Sequence, residues 1–514
     1  MRIECKLTMQ NKSTFKNQVL EPLLICTKQY ADNNAFHINN VFYSYRRFAE
    51  TVSKIRDAVK NLKKEEVNIG LVANDDLETY AAIISLWLEG KCYVPVNPDT
   101  PRERNINVLK QADIAVIIDS SPEPLFSNLI VIKSRELIFK EIDLTAKDVS
   151  GEALAYIFFT SGTTGIPKGV PVTRTNLAGF IKAFFALKIK IDATDKCLQM
   201  FELTFDLSVM SYLAPLLKGA CVYTIPKDKI KFSYIAELLD EHHLTIALMV
   251  PSIIQYLRPY FSEIDCASMK HSLFCGEALP LDVTKEWANC IPRAKIMNVY
   301  GPTEDTIFCT TYTYLNSAEN KTSNGLLSIG KAMEETYTII INENNETVIP
   351  GEKGQLCLGG IQLTPGYWKN EEKNKEAFFY KDYNGISTRF YKTGDLCLTD
   401  ADGDIMYLGR IDSQIKVQGF RVELSEIEFF AKGHLQKINT VAVAFTNKIG
   451  NTEIGMVIES DDFATKELLD YLKIKMPVYM LPTQVKFIKT FPLNTNGKTD
   501  RNKLALMFKN IQNA

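Results

Sequence analysis

The chain has 514 residues, of which 46% are hydrophobic and 23% are charged. Since a domain has about 100–200 residues, this length predicts two or more packed units, and the apolar content excludes a disordered or collagen-like chain. The 59 basic and 61 acidic residues give a formal net charge of −2. This balance offers no bulk attraction for nucleic acid, and we expect no such partner.

Cysteine usage and the start of the chain bound the compartment. The 11 cysteines form no CxxC pair and no ligand spacing of a zinc site. The first residues lack the apolar run of a signal peptide, and no stretch of about 18 apolar residues occurs that could span a bilayer. We therefore expect a soluble cytoplasmic protein with reduced thiols and no membrane insertion.

Short apolar runs rich in β-branched residues alternate along the chain with segments whose apolar residues lie three and four apart. The runs predict strands at 67–72, 114–118, 156–159, 245–250 and 295–299, and the segments predict helices at 77–88 and 232–239. This alternation is typical of an α/β fold with a largely parallel sheet.

The pattern changes near residue 330, where turn-rich pieces at 342–345, 350–351 and 401–404 predict hairpins. Beyond Gly409 a strand–helix–strand pattern covers about the last hundred residues, which suffices for a small α+β unit. We expect a domain boundary at about 409–413, with an N-terminal domain of residues 1–411 and a C-terminal domain of residues 412–514.

A glycine- and hydroxyl-rich loop, TSGTTGIPKG at 160–169, follows the apolar run at 156–159. Glycines let backbone amides converge on an anion, hydroxyls add donors, and Lys168 supplies a compact positive charge. No Walker A spacing is present. The loop predicts a phosphate site; its candidate residues are Thr160, Ser161, Gly162, Thr163, Thr164 and Lys168.

At this point the sequence resembles the adenylate-forming superfamily of acyl-CoA synthetases, luciferases and the adenylation domains of peptide synthetases. Seven further signatures of that family occur in order: LEGKCYVPV at 88–96, FDLS at 205–208, NVYGPTE at 298–304, GQLCLGG at 354–360, YKTGD at 391–395, GRIDSQIKVQGFR at 409–421 and PLNTNGKTDR at 492–501. Together they cover nearly the whole chain.

The resemblance implies a large N-terminal domain of parallel-sheet α/β subdomains plus a distorted β-barrel, and a small mobile α+β C-terminal domain. It also implies that the protein joins a carboxylate to AMP, releases pyrophosphate, and passes the acyl group to a thiol. ATP and Mg²⁺ are the implied cofactors. Positioning and electrostatics carry most of the catalysis in such a step.

The resemblance also assigns roles to single residues. Thr160 to Thr164 and Lys168 cradle the β- and γ-phosphates, while Tyr300 stacks on adenine and Thr303 contacts the α-phosphate. Glu304 holds Mg²⁺, Asp395 accepts the ribose hydroxyls, and Arg410 adds a second cation near the nucleotide. Thr303, Glu304 and Lys498 are the implied catalytic residues.

Three residues of the C-terminal region have implied roles that depend on domain movement. Lys498 bridges the carboxylate substrate and the α-phosphate during adenylation. Asp412 is the hinge at which the small domain turns between the two half-reactions. Gly419 matches the tunnel that admits a phosphopantetheine arm, because a residue without Cβ leaves the backbone close to a ligand.

Asp206 favours an amino acid as the carboxylate substrate. Amino-acid-activating members use this residue to pair with the substrate ammonium, and a buried carboxylate requires a cation. The other pocket positions are mostly apolar and predict a small aliphatic side chain; they are Leu207, Met210, Ser252, Leu273, Cys275, Val299, Ile307 and Phe308.

FDLSVM at 205–210 and LFCGEALP at 273–280 are most similar to D-alanine–carrier protein ligases, in which the cysteine matching Cys275 crowds one side of the substrate α-carbon. The chain departs from that pattern at Val299, where a Thr is expected, and at Phe308, where a small residue is expected. D-alanine is the substrate that we predict.

Other functions remain open. One alternative is a stand-alone adenylation enzyme for another aliphatic amino acid, and another is a catalytically silent nucleotide-binding protein. Asp206 disfavours an acyl-CoA synthetase. The chain ends 16 residues after Lys498 and has no carrier attachment motif. We therefore expect the partner to be a separate phosphopantetheinylated carrier protein.

Overall fold

The computed structural model describes residues 15–162, 165–316, 319–435, 438–461, 465–493 and 499–509. The α-helices are, in chain order, α1 (Glu21–Gln29), α2 (Tyr45–Lys60), α3 (Leu77–Leu88), α4 (Arg102–Gln111), α5 (Arg174–Ala186), α6 (Leu207–Leu216), α7 (Lys231–Glu241), α8 (Pro251–Leu257), α9 (Leu281–Cys290), α10 (Glu371–Ala377), α11 (Leu424–Leu435), α12 (Thr465–Lys475) and α13 (Arg501–Lys509). Both predicted helices are confirmed as α3 and α7.

Two sheets with parallel cores confirm the predicted α/β class. The first sheet contains β1 (Asn34–Ile38), β2 (Val41–Ser44), β9 (Lys196–Gln199), β10 (Cys221–Thr224), β11 (Ile246–Met249), β12 (His271–Phe274), β13 (Lys295–Tyr300), β14 (Thr310–Thr313) and β17 (Lys331–Ala332). The second contains β3 (Asn68–Val72), β4 (Cys92–Val96), β5 (Val116–Asp119), β6 (Ile130–Lys133), β7 (Leu154–Thr160) and β8 (Lys168–Thr173).

The strand orders are β17-β14-β13-β12-β11-β9-β10-β1-β2 and β6-β5-β3-β4-β7-β8. The inner neighbours of both sheets pair in parallel, and the antiparallel pairs lie towards the edges. All five predicted strand segments lie in these two sheets, each within a few residues of its predicted bounds.

Local sequence explains where helices of this core begin. Asp76 caps α3 by accepting the Thr79 amide at 2.9 Å. Thr173 and Asn176 form a reciprocal capping box at the start of α5. One large hydrophobic cluster joins the two sheets, and Trp87 and Trp287 are fully buried in it; a separate cluster packs α4 against the second sheet.

The region after residue 330 forms an antiparallel sheet, which confirms the predicted hairpins. Its strands are β18 (Thr336–Ile341), β19 (Gly354–Gly360), β20 (Phe378–Tyr383), β21 (Ile386–Thr399) and β22 (Ile405–Arg410). They run in the order β18-β19-β21-β20, and β22 pairs with β21. Closure of this sheet into the expected barrel stays a prediction. A short pair, β15 (Thr322–Ser323) with β16 (Leu326–Leu327), lies beside it.

The remaining strands follow residue 413. The site hairpin, residues 414–423, consists of β23 (Gln414–Val417) and β24 (Phe420–Glu423). A three-stranded sheet contains β25 (Thr440–Thr446), β26 (Thr452–Glu459) and β27 (Gln484–Ile488). This C-terminal region, from residue 414 onward, has hydrophobic clusters of its own that involve α11, α12 and α13. The predicted boundary at 409–413 stays a prediction; it begins at the last two residues of β22 and ends directly before β23.

The described residues include no helix that is both long and apolar enough to cross a bilayer.

Candidate functional site

A cavity of about 410 Å³ lies where the carboxyl end of β13 faces the antiparallel sheet and the C-terminal region. Its lining brings together Tyr300, Asp395 and Arg410, which the sequence places far apart. Tyr300 ends β13, and Asp395 and Arg410 are directly opposite each other on β21 and β22. Strand pairing therefore fixes the relative positions of the two charged groups.

Asp395 accepts two hydrogen bonds inside this cavity. The Tyr300 hydroxyl donates to one carboxylate oxygen at 2.5 Å, and the Arg410 guanidinium donates to the other at 2.9 Å. The Asp395 side chain is 10% exposed and that of Arg410 is 16% exposed, so the pair is not an ordinary surface ion pair. Arg410 also binds the Asp412 carboxylate, at 2.9 Å from its Nε. Burial opposes ionisation of Asp412, but Arg410 holds its pKa below the usual value.

The phosphate loop begins at the end of β7, where Thr160 is opposite Lys168. The Ser161 hydroxyl donates to the Arg421 carbonyl at 2.8 Å, and the Gly162 amide donates to a Glu426 carboxylate oxygen at 3.3 Å. Arg104 forms an ion pair with the other oxygen of Glu426. A carboxylate thus binds an amide that the sequence assigns to phosphate. Thr163 and Thr164 lie outside the described residues.

Lys168, at the start of β8, lies close to two buried acidic residues, Glu423 and Glu304. Its ammonium lies 3.6 Å from a carboxylate oxygen of Glu423, and its side chain is 14% exposed. Burial lowers the pKa of Lys168, and the neighbouring Arg421 lowers it further. Because burial is the main cause of this shift, an anion bound beside the ammonium would favour its charged form.

Glu304 is completely buried and has a cationic partner from the site hairpin. Arg421 donates to both carboxylate oxygens of Glu304, at 3.0 and 2.8 Å, and the Tyr367 hydroxyl donates at 2.7 Å. Burial alone would raise the pKa of Glu304, but Arg421 and Tyr367 outweigh it and lower the pKa to about 2. Glu304 is therefore an ionised carboxylate at neutral pH.

The residues around Glu304 fit a magnesium ion that binds together with a polyphosphate. In the described ranges, no group of three or more His, Cys, Asp or Glu side chains is arranged to hold a metal. Mg²⁺ is usually bound through one or two carboxylates plus substrate phosphates, and an ionised Glu304 beside the phosphate loop meets that requirement. Arg421 occupies both oxygens, so a metal ion at Glu304 requires Arg421 to leave.

A second, smaller cavity of about 40 Å³ adjoins the first. Asp206, Leu207, Cys275 and Ile307 line it, together with Lys416 of the site hairpin. Asp206 is 4% exposed, and one of its carboxylate oxygens has no hydrogen-bond partner among the described residues. Burial raises the pKa of Asp206 to about 6, against the Thr303 hydroxyl, Lys416 and the Ile307 amide, which lower it. This group is a buried carboxylate that lacks a fixed counter-ion.

The other predicted pocket residues have different positions. Ser252 and Val299 line the larger cavity. Met210 on α6 and Leu273 on β12 are buried beneath the site. The Phe308 ring packs edge-on against Phe180 of α5, with 4.9 Å between ring centroids. Among the described residues, those five are not part of the smaller cavity's lining.

The turn of the site hairpin lies against the loop that follows β12. The Gly419 amide donates to a Glu277 carboxylate oxygen at 3.0 Å, and Glu277 also accepts the Ser252 amide at 2.8 Å. A Cβ on Gly419 would lie 2.4 Å from Val250 Cγ1, and the Gly419 φ is +83°. Only glycine fits this turn without displacing its neighbours. Lys498 lies outside the described residues.

Sequence reasoning missed the roles of Arg421, Tyr367, Glu426 and Glu277 in this geometry. Arg421 ends a motif that the sequence analysis quoted, but its partner Glu304 is 117 residues away. One signal was present: the motif at 409–421 contains Arg421 as well as Arg410, so it offers a second cation for an acidic residue of the site.

The chain matches the family described as AMP-binding enzyme over residues 26–368. It is 31% identical to a D-alanine--D-alanyl carrier protein ligase of Bacillus licheniformis, over 81% of this chain and 84% of that protein. It is 28% identical to tyrocidine synthase 1 of Brevibacillus parabrevis, over 92% of this chain. The chain spans 44% of that synthase and 9% of bacitracin synthase 1 of Bacillus licheniformis.

Among solved structures, the chain is similar to the Vibrio cholerae adenylation domain AlmE in complex with glycyl-adenosine-5'-phosphate. The TM-score is 0.84 and the identity 25%, over 95% of this chain and 97% of that chain. The adenylation and PCP di-domain NpsA-ThdA from Klebsiella oxytoca, at 21% identity and a TM-score of 0.80, shares the fold.

The Arg421–Glu304 pair predicts a measurable coupling. Arg421→Gln leaves Glu304 buried without its cation, a loss that typically costs about 3–5 kcal/mol. We expect chemical denaturation to give a smaller penalty for Arg421→Gln/Glu304→Gln, which also removes the stranded charge. The pKa of Glu304 falls from 4.5 to about 2 on folding. The contribution of the ionised Glu304 to the free energy of unfolding is therefore fully present above pH 4.5 and is lost as the pH falls to about 2.

The control for this prediction is Arg258→Gln. Arg258 pairs with Glu286 at 2.5 Å, but the two side chains are 37% and 48% exposed. Exposed pairs contribute about 0–1 kcal/mol. Equal penalties for Arg421→Gln and Arg258→Gln would contradict the assigned importance of the buried pair.

Proposed function

Because the chain belongs to the AMP-binding enzyme family, we propose that it activates a small amino acid with ATP and transfers it to a carrier. D-alanine is the best candidate for the amino acid. The product of the first step is aminoacyl-AMP, and the acceptor of the second is the phosphopantetheine thiol of a separate carrier protein.

The observation that carries this proposal is the state of Asp206. A buried carboxylate with an unpaired oxygen is costly unless a ligand supplies the missing cation. An amino acid brings an ammonium group, which would bind Asp206 and favour its ionised form. A fatty or aryl acid brings no such cation.

The size of the smaller cavity supports a small side chain. The cavity is about 40 Å³, and Leu207, Cys275 and Ile307 provide its apolar walls. Burial raises the pKa of the Cys275 thiol to about 12, so this wall stays uncharged. The ligase relative is named for D-alanine, and the AlmE structure contains a glycyl adenylate. Glycine is therefore the second candidate, and the same cavity size favours it.

In the first step, a carboxylate oxygen of the amino acid attacks the α-phosphorus of ATP. The bond from the α-phosphorus to the bridging oxygen breaks, and pyrophosphate leaves. We assign Thr160 to Thr164 and Lys168 to the β- and γ-phosphates, Tyr300 to adenine, and Asp395 with Arg410 to the ribose and its surroundings. Thr303 would contact the α-phosphate. Magnesium held by Glu304 supplies charge neutralisation for the phosphates when bound.

Lys498 would bridge the attacking carboxylate and the α-phosphate in that step, and Asp412 would be the hinge that brings it in. In the observed structure Arg421 holds Glu304 and Glu426 holds the Gly162 amide; we call this the docked arrangement of the C-terminal region. It differs from the arrangement that the first step requires. Both contacts compete with Mg²⁺ and phosphate for the same groups. We assign the docked arrangement to the second step.

In the second step, the carrier thiolate attacks the aminoacyl carbonyl carbon, the bond to the AMP oxygen breaks, and AMP leaves. The thiol proton passes to solvent or to a nearby base. The Gly419 amide binds Glu277, a residue that lines the larger cavity, and we assign this turn of the site hairpin to the path of the phosphopantetheine arm.

ATP–pyrophosphate exchange with a panel of D- and L-amino acids tests the proposed function. We expect exchange with D-alanine to exceed exchange with L-alanine. Exchange with neither alanine nor glycine nor any other member of the panel would contradict the function. A preference for L-alanine would contradict the D-alanine assignment and leave adenylation standing.

Cys275→Ala is the matching variant for stereochemistry. If the thiol crowds one side of the substrate α-carbon, its removal should improve kcat/KM for L-alanine more than for D-alanine. One methyl-sized contact in an apolar pocket typically changes kcat/KM by about 10-fold or more. The preference for D-alanine over L-alanine should therefore become smaller but not invert. An equal change for both enantiomers would contradict this position for Cys275.

Asp206→Asn tests the ammonium contact. We expect kcat/KM for the amino acid to fall by about 100-fold or more, with KM for ATP nearly unchanged, because a partner of a buried charge is lost. Since burial raises the pKa of Asp206 to about 6, native kcat/KM for the amino acid should decline as the pH falls below 6. Asp206→Asn should lack that decline; an unchanged acid limb in the variant would contradict the assignment.

A further inference from the structure

We propose that Gln362 is a positioning residue that sets the size of the amino-acid pocket by clamping a strained segment of its wall. This inference rests on the proposed function, because it assigns a determinant of substrate size at that same site. Gln362 acts through residues 304–308 and is itself fully buried.

The segment that follows Glu304 has an unfavourable backbone. Thr306 has a φ of +50° and Ile307 a φ of +76°, and both residues are β-branched. Positive φ is rare for β-branched residues because Cβ clashes with the neighbouring carbonyl groups. Both side chains are buried, at 0% and 1% exposure. Such a conformation persists only where the surroundings over-determine it.

Gln362 binds this segment at several points. Its side-chain amide nitrogen donates to the carbonyls of Asp305, Thr306 and Phe308, at 3.2, 3.3 and 3.0 Å. Its backbone carbonyl accepts the Thr306 hydroxyl at 2.5 Å. The Thr336 hydroxyl donates to the Gln362 side-chain oxygen at 3.4 Å and so helps to orient the amide.

The clamped segment forms one wall of the smaller cavity. Ile307 lines that cavity, and its backbone amide faces the Asp206 carboxylate. The next residue, Phe308, is anchored behind the wall by the Phe180 ring. The position of Ile307 therefore sets both the space for a substrate side chain and part of the surroundings of the ammonium site.

Loss of the Gln362 amide would leave three buried carbonyls without this donor. Because an unsatisfied buried carbonyl is costly, the segment should rearrange and relieve the positive φ angles. Ile307 would then move, and the pocket would lose its sharp limit on side-chain size. Leucine at 362 removes the donors at similar volume, so the change tests hydrogen bonding rather than space.

The test measures selectivity in Gln362→Leu. We expect the ratio of kcat/KM for D-2-aminobutyrate to that for D-alanine, by pyrophosphate exchange, to rise by about 10-fold, the lower end for one methylene in an apolar pocket. A variant with a merely lower folded fraction loses activity towards both amino acids equally and keeps the native ratio. Thr336→Val, which removes only one bond to Gln362, should shift the ratio in the same direction by less.

Gln355→Leu is the matched control, because Gln355 is half-buried on β19, the strand that leads to the same loop. It should keep the native ratio. A native ratio in folded Gln362→Leu and Thr336→Val, or an equal shift in Gln355→Leu, would overturn the proposal.

Hydrogen exchange separates this inference from the function on which it rests. The amides of residues 304–309 should exchange faster in Gln362→Leu than in the native protein or in Gln355→Leu. Unchanged exchange there would overturn the clamp, whatever the enzyme activates. If the native protein activates no amino acid, the proposed function fails, and the assignment of pocket selectivity to Gln362 fails with it.

Discussion

A carboxylate with no solvent exposure depends on whatever cation lies beside it, and Glu304 is such a group at the centre of this site. In the observed arrangement its cation is Arg421, a residue of the site hairpin that is close to it in space but distant in sequence. Coulombic attraction inside a buried site is far stronger than in water. The orientation of the C-terminal region is therefore tied to the charge state of Glu304.

A second contact of the C-terminal region places a negative charge in the phosphate loop. Glu426, at the start of α11, accepts the Gly162 amide of the phosphate loop and pairs with Arg104. Arg421 thus supplies a positive charge where a metal ion is expected, and Glu426 supplies a negative charge where a phosphate is expected. In the proposed reaction the C-terminal region and Mg·ATP compete for the same two groups, so the chain would exchange one set of charges for the other between the two steps.

Much of the fold could be predicted from sequence, because it depends on local patterns. Leu77–Leu88 has helical spacing with a cap at Asp76, and the β-branched runs form the parallel strands. The motifs also placed Tyr300, Asp395 and Arg410 in one cavity, since strand pairing brings them together. The roles that the family resemblance gives these three residues stay predictions.

The remaining features depend on tertiary contacts that no local pattern encodes. The ion pair between Arg421 and Glu304 requires the docked orientation of the C-terminal region. The positive φ angles at Thr306 and Ile307 contradict the propensity of β-branched residues and persist through Gln362. The ring of Phe308, a predicted pocket residue, packs against Phe180 of α5, which is 128 residues away in the sequence. In each case the conformation or the contact depends on a residue that is distant in the sequence.

The docked arrangement, in which Arg421 holds Glu304 and Glu426 holds the Gly162 amide, should exclude Mg·ATP, and a covalent link can hold that arrangement. Lys475 lies 2.7 Å from Glu103 across the contact between α12 and α4, and the ten described native cysteines are all buried. Glu103→Cys/Lys475→Cys can be joined by a short bismaleimide, with each single variant as control. We predict that the linked enzyme loses ATP–pyrophosphate exchange but still transfers the aminoacyl group from supplied aminoacyl-AMP. If the linked enzyme catalysed ATP–pyrophosphate exchange at the rate of the unlinked double variant, the docked arrangement would not exclude Mg·ATP.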